Sequence, residues 1–214
     1  MIFPSMHSLE YISDRSYRNC PIIGVDSVFL DRGAVDGRLT RMFVAHKNHG
    51  LWKNRSPIGH KMSVGFHGHH CDITLKPFLG EVWNVKPDFL PAYNSANLNP
   101  KTCHTFWVKS YKYDRDKEKI GRGIFSDTKD EMICIDSSMR HLKNDLSMSA
   151  TDLHSIYVPR DRTAAWIVKE GAESEEGEEY TWSNDDLENF DWTGIYQPTS
   201  VDYLKNLIAK MEEW

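Results

Sequence analysis

Gly65-Phe-His67-Gly-His69-His70-Cys-Asp72-Ile-Thr-Leu-Lys-Pro-Phe-Leu-Gly80-Glu-Val-Trp-Asn-Val85 is the stretch whose reading decides the fold. Three histidines and an aspartate precede an apolar run. Side chains two apart on an extended chain point to the same side. Read as one regular strand, the odd positions carry His67, His69, Cys71, Ile73, Leu75 and Leu79. The even positions carry His70, Asp72, Thr74, Lys76 and Phe78. The odd side is the apolar one, so it is expected to face the core and to carry His67 and His69 inward. His70 is then expected to point outward. Buried imidazoles need partners, and a metal ion is one such partner. For an isolated His-x-His, a pair of satisfied structural histidines remains the alternative.

A second segment bears on that choice. Ala150-Thr-Asp-Leu-His154-Ser-Ile-Tyr-Val158 sets His154 at a strand start, on the side of Ile156 and Val158. A turn, Pro159-Arg-Asp-Arg162, leads into the apolar strand Thr163-Ala-Ala-Trp-Ile-Val168. The chain elsewhere reads as short β-like runs with Gly and Pro punctuation: Ile22–Leu30, Leu39–His46, His60–Phe66, Asp72–Phe78, Glu81–Lys86, His104–Tyr113, Gly123–Phe125, Glu131–Ile135, Asp152–Val158 and Thr163–Lys169. That pattern predicts a sandwich or barrel and not βαβ units. A helix is predicted over Ser200–Glu213, capped by Thr199 or Ser200, with Tyr203, Leu204, Leu207, Ile208 and Met211 at helical spacing.

These two segments resemble the two motifs of the cupin superfamily, in particular a cupin-like group written His-x-His-x-x-Asp and, later, Ala-Thr-Asp-Leu-His. The resemblance covers Ser63–Val85 and Ala150–Val168. It implies an all-β fold: a double-stranded β-helix (jelly-roll) barrel, here with added N-terminal strands and a C-terminal helix. With no internal repeat and no linker in the sequence, one domain is expected over 1–214, with extension strands in 1–60, barrel motifs in 61–169, an acidic loop region in 170–198 and the helix in 199–214. The resemblance also implies a divalent metal (zinc, iron, manganese or nickel) held by His67, His69 and His154. The family's first motif carries a Glu after the second His, where this chain has Ile73 and Thr74. Asp72 is the substitute if a β-bulge turns it inward; Glu81 lies beyond the turn.

The activity so implied is that of a metal-dependent enzyme acting on a small polar or phosphorylated molecule in the barrel mouth. Two alternatives stand beside it. A shifted register, His70-x-Asp72 with His154, gives the two-histidine, one-carboxylate triad of iron oxygenases, with Arg160 or Arg162 holding 2-oxoglutarate. A non-catalytic barrel that binds a small molecule is the other. His104 and His141 read as structural. The resemblance also allows a homodimer formed through the sheets.

Composition narrows the classes. The chain has 214 residues, 40% hydrophobic and 27% charged, enough for a real core. No apolar run is long enough to span a bilayer, and Met1–Glu10 lacks the pattern of a secretory signal. Cys20, Cys71, Cys103 and Cys134 form no Cys-x-x-Cys pair and read as free thiols of a cytoplasmic protein. Net charge is −5 but uneven. Between Gly37 and Cys71 no acid occurs, while Arg38, Arg41, Lys47, Lys53, Arg55 and Lys61 are basic. That stretch reads as a solvated surface before it reads as a phosphate site, and nucleic acid is not the expected partner. The acidic run from Glu170 to Asp191 reads as a solvated loop. Phosphate loops, dinucleotide fingerprints and the Gly-x-Ser-x-Gly elbow are absent.

Overall fold

The computed structural model describes residues 7–20, 22–33, 37–51, 65–89, 105–114, 124–134, 139–174, 180–183 and 193–213. In chain order the elements are α1 (Leu9–Ser13), β1 (Tyr17–Arg18), β2 (Val25–Arg32), β3 (Leu39–Ala45), β4 (Phe66–His67), β5 (Cys71–Leu79), β6 (Trp83–Val85), β7 (Asp88–Phe89), β8 (Thr105–Asp114), β9 (Ile124–Cys134), β10 (Met139–His141), β11 (Leu146–Met148), β12 (Ser155–Tyr157), β13 (Ala164–Glu173), β14 (Tyr180–Ser183), β15 (Gln197–Pro198) and α2 (Val201–Glu212).

The order of these strands defines a jelly roll. One seven-stranded sheet runs β11-β5-β13-β3-β2-β1-β15, and a three-stranded sheet runs β10-β6-β12. An isolated antiparallel bridge between His67 and His154 joins the three-stranded sheet to β4, the edge of a five-stranded sheet β4-β14-β8-β9-β7. The order β3-β13-β5-β11 therefore faces β4-β12-β6-β10. Successive barrel strands leave one sheet for the other, except where β6 is followed by β10 in the same sheet. That is the double Greek key of a jelly-roll barrel. β1, β2 and β15 extend the first sheet at its β3 edge, and α2 packs outside. The fold is thus the all-β, cupin-type barrel with added N-terminal strands and a C-terminal helix.

Alternation along the strands builds two cores. On β5 the burial pattern follows the odd positions: Cys71, Ile73 and Leu75 are buried, while Asp72, Lys76 and Phe78 are exposed. The inward residues join Val25, Phe66, Val85, Ile156 and Trp166 in the barrel core. The outward residues of the neighbouring strands, Met42, Val44 and Ala165, form a second core with Ile12, Leu204, Leu207 and Met211 of the helices. Burying a Leu or Ile side chain contributes about 1.5–3 kcal/mol, so this second layer is what fixes α2 to the sheet. Ser200 accepts from the Tyr203 N–H and starts α2 at the expected place.

Two glycines are demanded by the backbone. Gly80 turns β5 into β6 at φ +71°, and a Cβ there would lie 2.5 Å from the Thr163 carbonyl oxygen. Gly65 lies so close to the Trp182 backbone that a Cβ there would collide with its carbonyl oxygen. This contact seats β4 against β14, with which it pairs.

Several expectations differ from what forms. β9 is one strand where two short runs were expected, because β8 supplies a ladder partner along its whole length, across a register shift at Ser110/Tyr111. α1 has five residues, too few for a periodic signal, and is held by its Ser8 cap and by Ile12 in the second core. β13 runs on to Glu173, and β14 lies within what was expected to be loop. Most of the expected strand His60–Phe66, most of the expected loop Lys86–Cys103 and the segment 184–192 lie outside the described residues. No helix among the described residues is long and apolar enough to cross a membrane.

Candidate metal centre

Three imidazoles converge where the two sheets of the barrel meet. His67 closes β4, His69 follows on the link to β5, and His154 directly precedes β12. The His67–His154 bridge, with N–H to carbonyl distances of 2.9 and 3.0 Å in the two directions, draws the first and third together. The His69 N–H donates to the Ala150 carbonyl, which anchors the second. Ring centroids are 4.9 Å (His67–His69), 4.8 Å (His67–His154) and 5.1 Å (His69–His154) apart, a nearly equilateral triangle. One nitrogen from each ring lies within 4.8 Å of the other two.

Hydrogen bonds fix which nitrogens carry lone pairs. His154 Nδ1 is 2.7 Å from Asn84 Oδ1, and His67 Nδ1 is 3.2 Å from the Gly65 carbonyl oxygen. Both oxygens only accept, so both Nδ1 atoms donate, and in the neutral ring the lone pair is then on Nε2. Holding the far nitrogen in this way sets tautomer and ring orientation in metal-binding histidines. His69 Nε2 and His154 Nε2 are 2.9 Å apart. Metal–nitrogen bonds of about 2.0–2.1 Å place two ligand nitrogens about 2.9–3.4 Å apart, so this pair already has the spacing of two ligands to one ion.

The electrostatics point the same way. Burial pushes His69 down from the usual imidazole range to about 3, with the neighbouring His67 and His70 adding to the effect. Burial also holds His154 well below that range, helped by His67, His69 and Lys86. Both rings are therefore neutral at physiological pH, the form that coordinates metal.

The triad opens on a cavity of about 220 Å³. Its walls are mainly apolar, with Val25, Phe43, Leu51, Ile73, Ile156 and Trp166 among them, and Phe43 stacks on Trp166 at 5.6 Å. Arg41, His70, Cys71 and Glu170 add polar atoms. Arg41 Nη1 donates to the Arg15 carbonyl and to Ser27 Oγ, and the Leu39 N–H donates to Glu170 Oε2.

Other expected residues are placed elsewhere. Asp72 does not join the triad: its side chain is on the exposed face of β5, and its carboxylate accepts the Ala150 N–H. The ladder is irregular here, but the extra residue lies in β13 between Glu170 and Glu173 and not in β5, so Asp72 stays on the exposed face. His70 departs from its expected outward position. The chain bends between β4 and β5, so strict alternation fails there and His70 lies beside Cys71 and Glu170. His70 and Asp72 thus do not gather around His154 as the shifted register requires. Neither Arg160 nor Arg162 lines the cavity. Glu81 accepts from Trp83 Nε1, and His141 stacks on Trp83; His104 lies outside the described residues. Asn84 and Glu170 were missed as site residues. Asn84, a buried amide between Trp83 and Val85, was the available signal.

What these observations define is a cupin-type barrel carrying a three-histidine cluster, His154 buried and His67 and His69 half-buried. No family model matches the chain, and no curated protein matches it. Among solved structures, hydroxypropylphosphonic acid epoxidase from S. wedmorenis matches at 10% identity and a TM-score of 0.34, over 73% of this chain and 54% of that one. The chain spans about half the length of that protein, and the overlap is too loose to transfer any residue role.

Proposed function

We propose that this chain is a metal-dependent cupin enzyme whose divalent ion is held by His67, His69 and His154. The observation that carries this reading is the cluster beside the cavity: one ring nitrogen of each histidine lies within 4.8 Å of the other two, with His154 Nδ1 held at Asn84 and His67 Nδ1 at the Gly65 carbonyl. Three protein ligands leave coordination positions for substrate or water, the pattern of a catalytic and not a structural site. A bound ion of this kind acts as a Lewis acid or activates a water or dioxygen. The chain's own residues orient the ligands, keep them neutral by burial and exclude bulk water with Phe43, Trp166 and Ile156.

The walls favour a small molecule with a largely apolar body and one polar head that reaches the histidines. Arg41, whose Nη1 donates to Ser27 Oγ and the Arg15 carbonyl, keeps its charge and its other N–H donors for such a head.

Metal analysis of untagged protein tests the reading. At least one equivalent is expected in the wild type, with the triad's ion lost in His67→Ala, His69→Ala and His154→Ala. Occupancy well below one equivalent turns the barrel into a metal-free binder and ends the proposal. Consumption of 2-oxoglutarate with ferrous iron, abolished by Asp72→Ala, would replace it with the oxygenase.

A further inference from the structure

The link between β4 and β5 crosses from one sheet of the barrel to the other. It therefore delivers its consecutive histidines to different surroundings. His69 goes to the triad, while His70 joins Cys71 of β5 and Glu170 of β13. One ligand atom from each of these three residues lies within 4.8 Å of the others. Cys71 is buried, and His70 and Glu170 are half-buried. The pairing of β5 with β13 sets Ile73 opposite Glu170, on the same inward face as Cys71 and Leu75. All three residues line the cavity into which the first triad opens.

We infer that His70, Cys71 and Glu170 form a second metal site in the same cavity, suited to a borderline-soft divalent ion of the zinc type. Imidazole, thiolate and carboxylate are all zinc ligands, and the thiolate separates this site from the all-imidazole triad, since it favours thiophilic ions. Cys71 binds as thiolate, and its proton leaves to solvent as the ion enters. Glu170 Oε2 accepts the Leu39 N–H at 2.8 Å, which holds the carboxylate in place. The assignment stands independently of the three-histidine site and uses none of its residues.

Cobalt(II) titration of the full-length, chelator-stripped chain tests it. Thiolate–cobalt bonds give a charge-transfer band in the near ultraviolet, which imidazole ligands do not. We expect two equivalents to bind, with that band present in the wild type and lost in Cys71→Ser. It should also shift to higher cobalt concentration in Glu170→Gln, which keeps the acceptor for Leu39. It should persist in His154→Ala, where only the triad's equivalent is missing. If His154→Ala loses no equivalent while Cys71→Ser loses the band, the triad reading fails and the second site stands. A single equivalent with no near-ultraviolet band, or a band unchanged by both Cys71→Ser and Glu170→Gln in variants with wild-type circular dichroism, overturns the second site.

Discussion

The two faces of β3 and β13 are built from alternate residues of the same strands, yet they do opposite work. Outward, Met42, Val44, Ala165 and Ile167 meet Leu204, Leu207 and Met211 in a packed layer. Inward, Phe43, Trp166, Val168 and Glu170 border a cavity that also holds imidazoles, a thiol and an arginine. The outward layer stabilises by close packing. The inward layer gives up part of that packing and keeps neutral imidazoles out of water, which lowers stability in exchange for a place where chemistry can happen. The molecule therefore separates stability from function across the thickness of one sheet.

Three perturbations probe that separation. The largest effect is expected on the packed face. Leu207→Ala should cost about 2–5 kcal/mol of unfolding free energy by denaturant titration, while the folded fraction keeps its metal content. Equal damage to metal binding would show that the two faces are one cooperative unit.

On the hollow face, Asn84→Leu removes the acceptor that fixes the His154 tautomer and leaves the volume nearly unchanged. The triad's metal affinity should fall roughly 10–100-fold, or about 1.4–2.7 kcal/mol, with a smaller change in melting temperature. Unchanged affinity would mean that His154 is oriented by packing alone.

One pH unit below the ordinary imidazole value, the smallest effect belongs to His49, a fully buried imidazole outside both metal clusters. Burial pushes it down to about 4, with the nearby Arg160 charge adding to the effect, against carbonyl contacts that raise it. The unfolded chain takes up a proton near the usual value of 6.5, which the folded chain refuses until about pH 4. Stability is thus unaffected above the unfolded value and falls as pH drops through this window, by about 1.4 kcal/mol one unit below it. His49→Asn keeps an acceptor for the Leu51 N–H and does not titrate. Its stability should fall less steeply between pH 6.5 and 4. A slope equal to that of the wild type would assign the acid sensitivity to the cavity histidines.

Local pattern carried much of the fold. The alternation Cys71–Ile73–Leu75 fixed which face of β5 turns inward, and the spacing of Leu204, Leu207 and Met211 together with Ser200 fixed the start and buried face of α2. Each of these is decided by residues within a few positions of one another, where backbone geometry alone sets direction. The strand β9 escaped because its polar middle, Ser126–Asp130, has no apolar alternation of its own and is extended only by pairing with β8.

What the sequence by itself determined, then, was an all-β sandwich or barrel, which its resemblance to the cupins narrowed to a jelly roll, together with the inward face of β5 and the chemical types gathered at the barrel mouth. Tertiary structure alone decided which of those types meet. Asn84 reaches a histidine 70 residues away, and His69 meets His154 across 85. Glu170 and Cys71 come together only because β13 lies beside β5. His70 left its expected side because the link between β4 and β5 crosses from one sheet to the other, where strand alternation has no hold. Alternation is a property of a few adjacent peptides, whereas a ligand set is a property of strand order. In a jelly roll, strand order joins segments that are far apart along the chain.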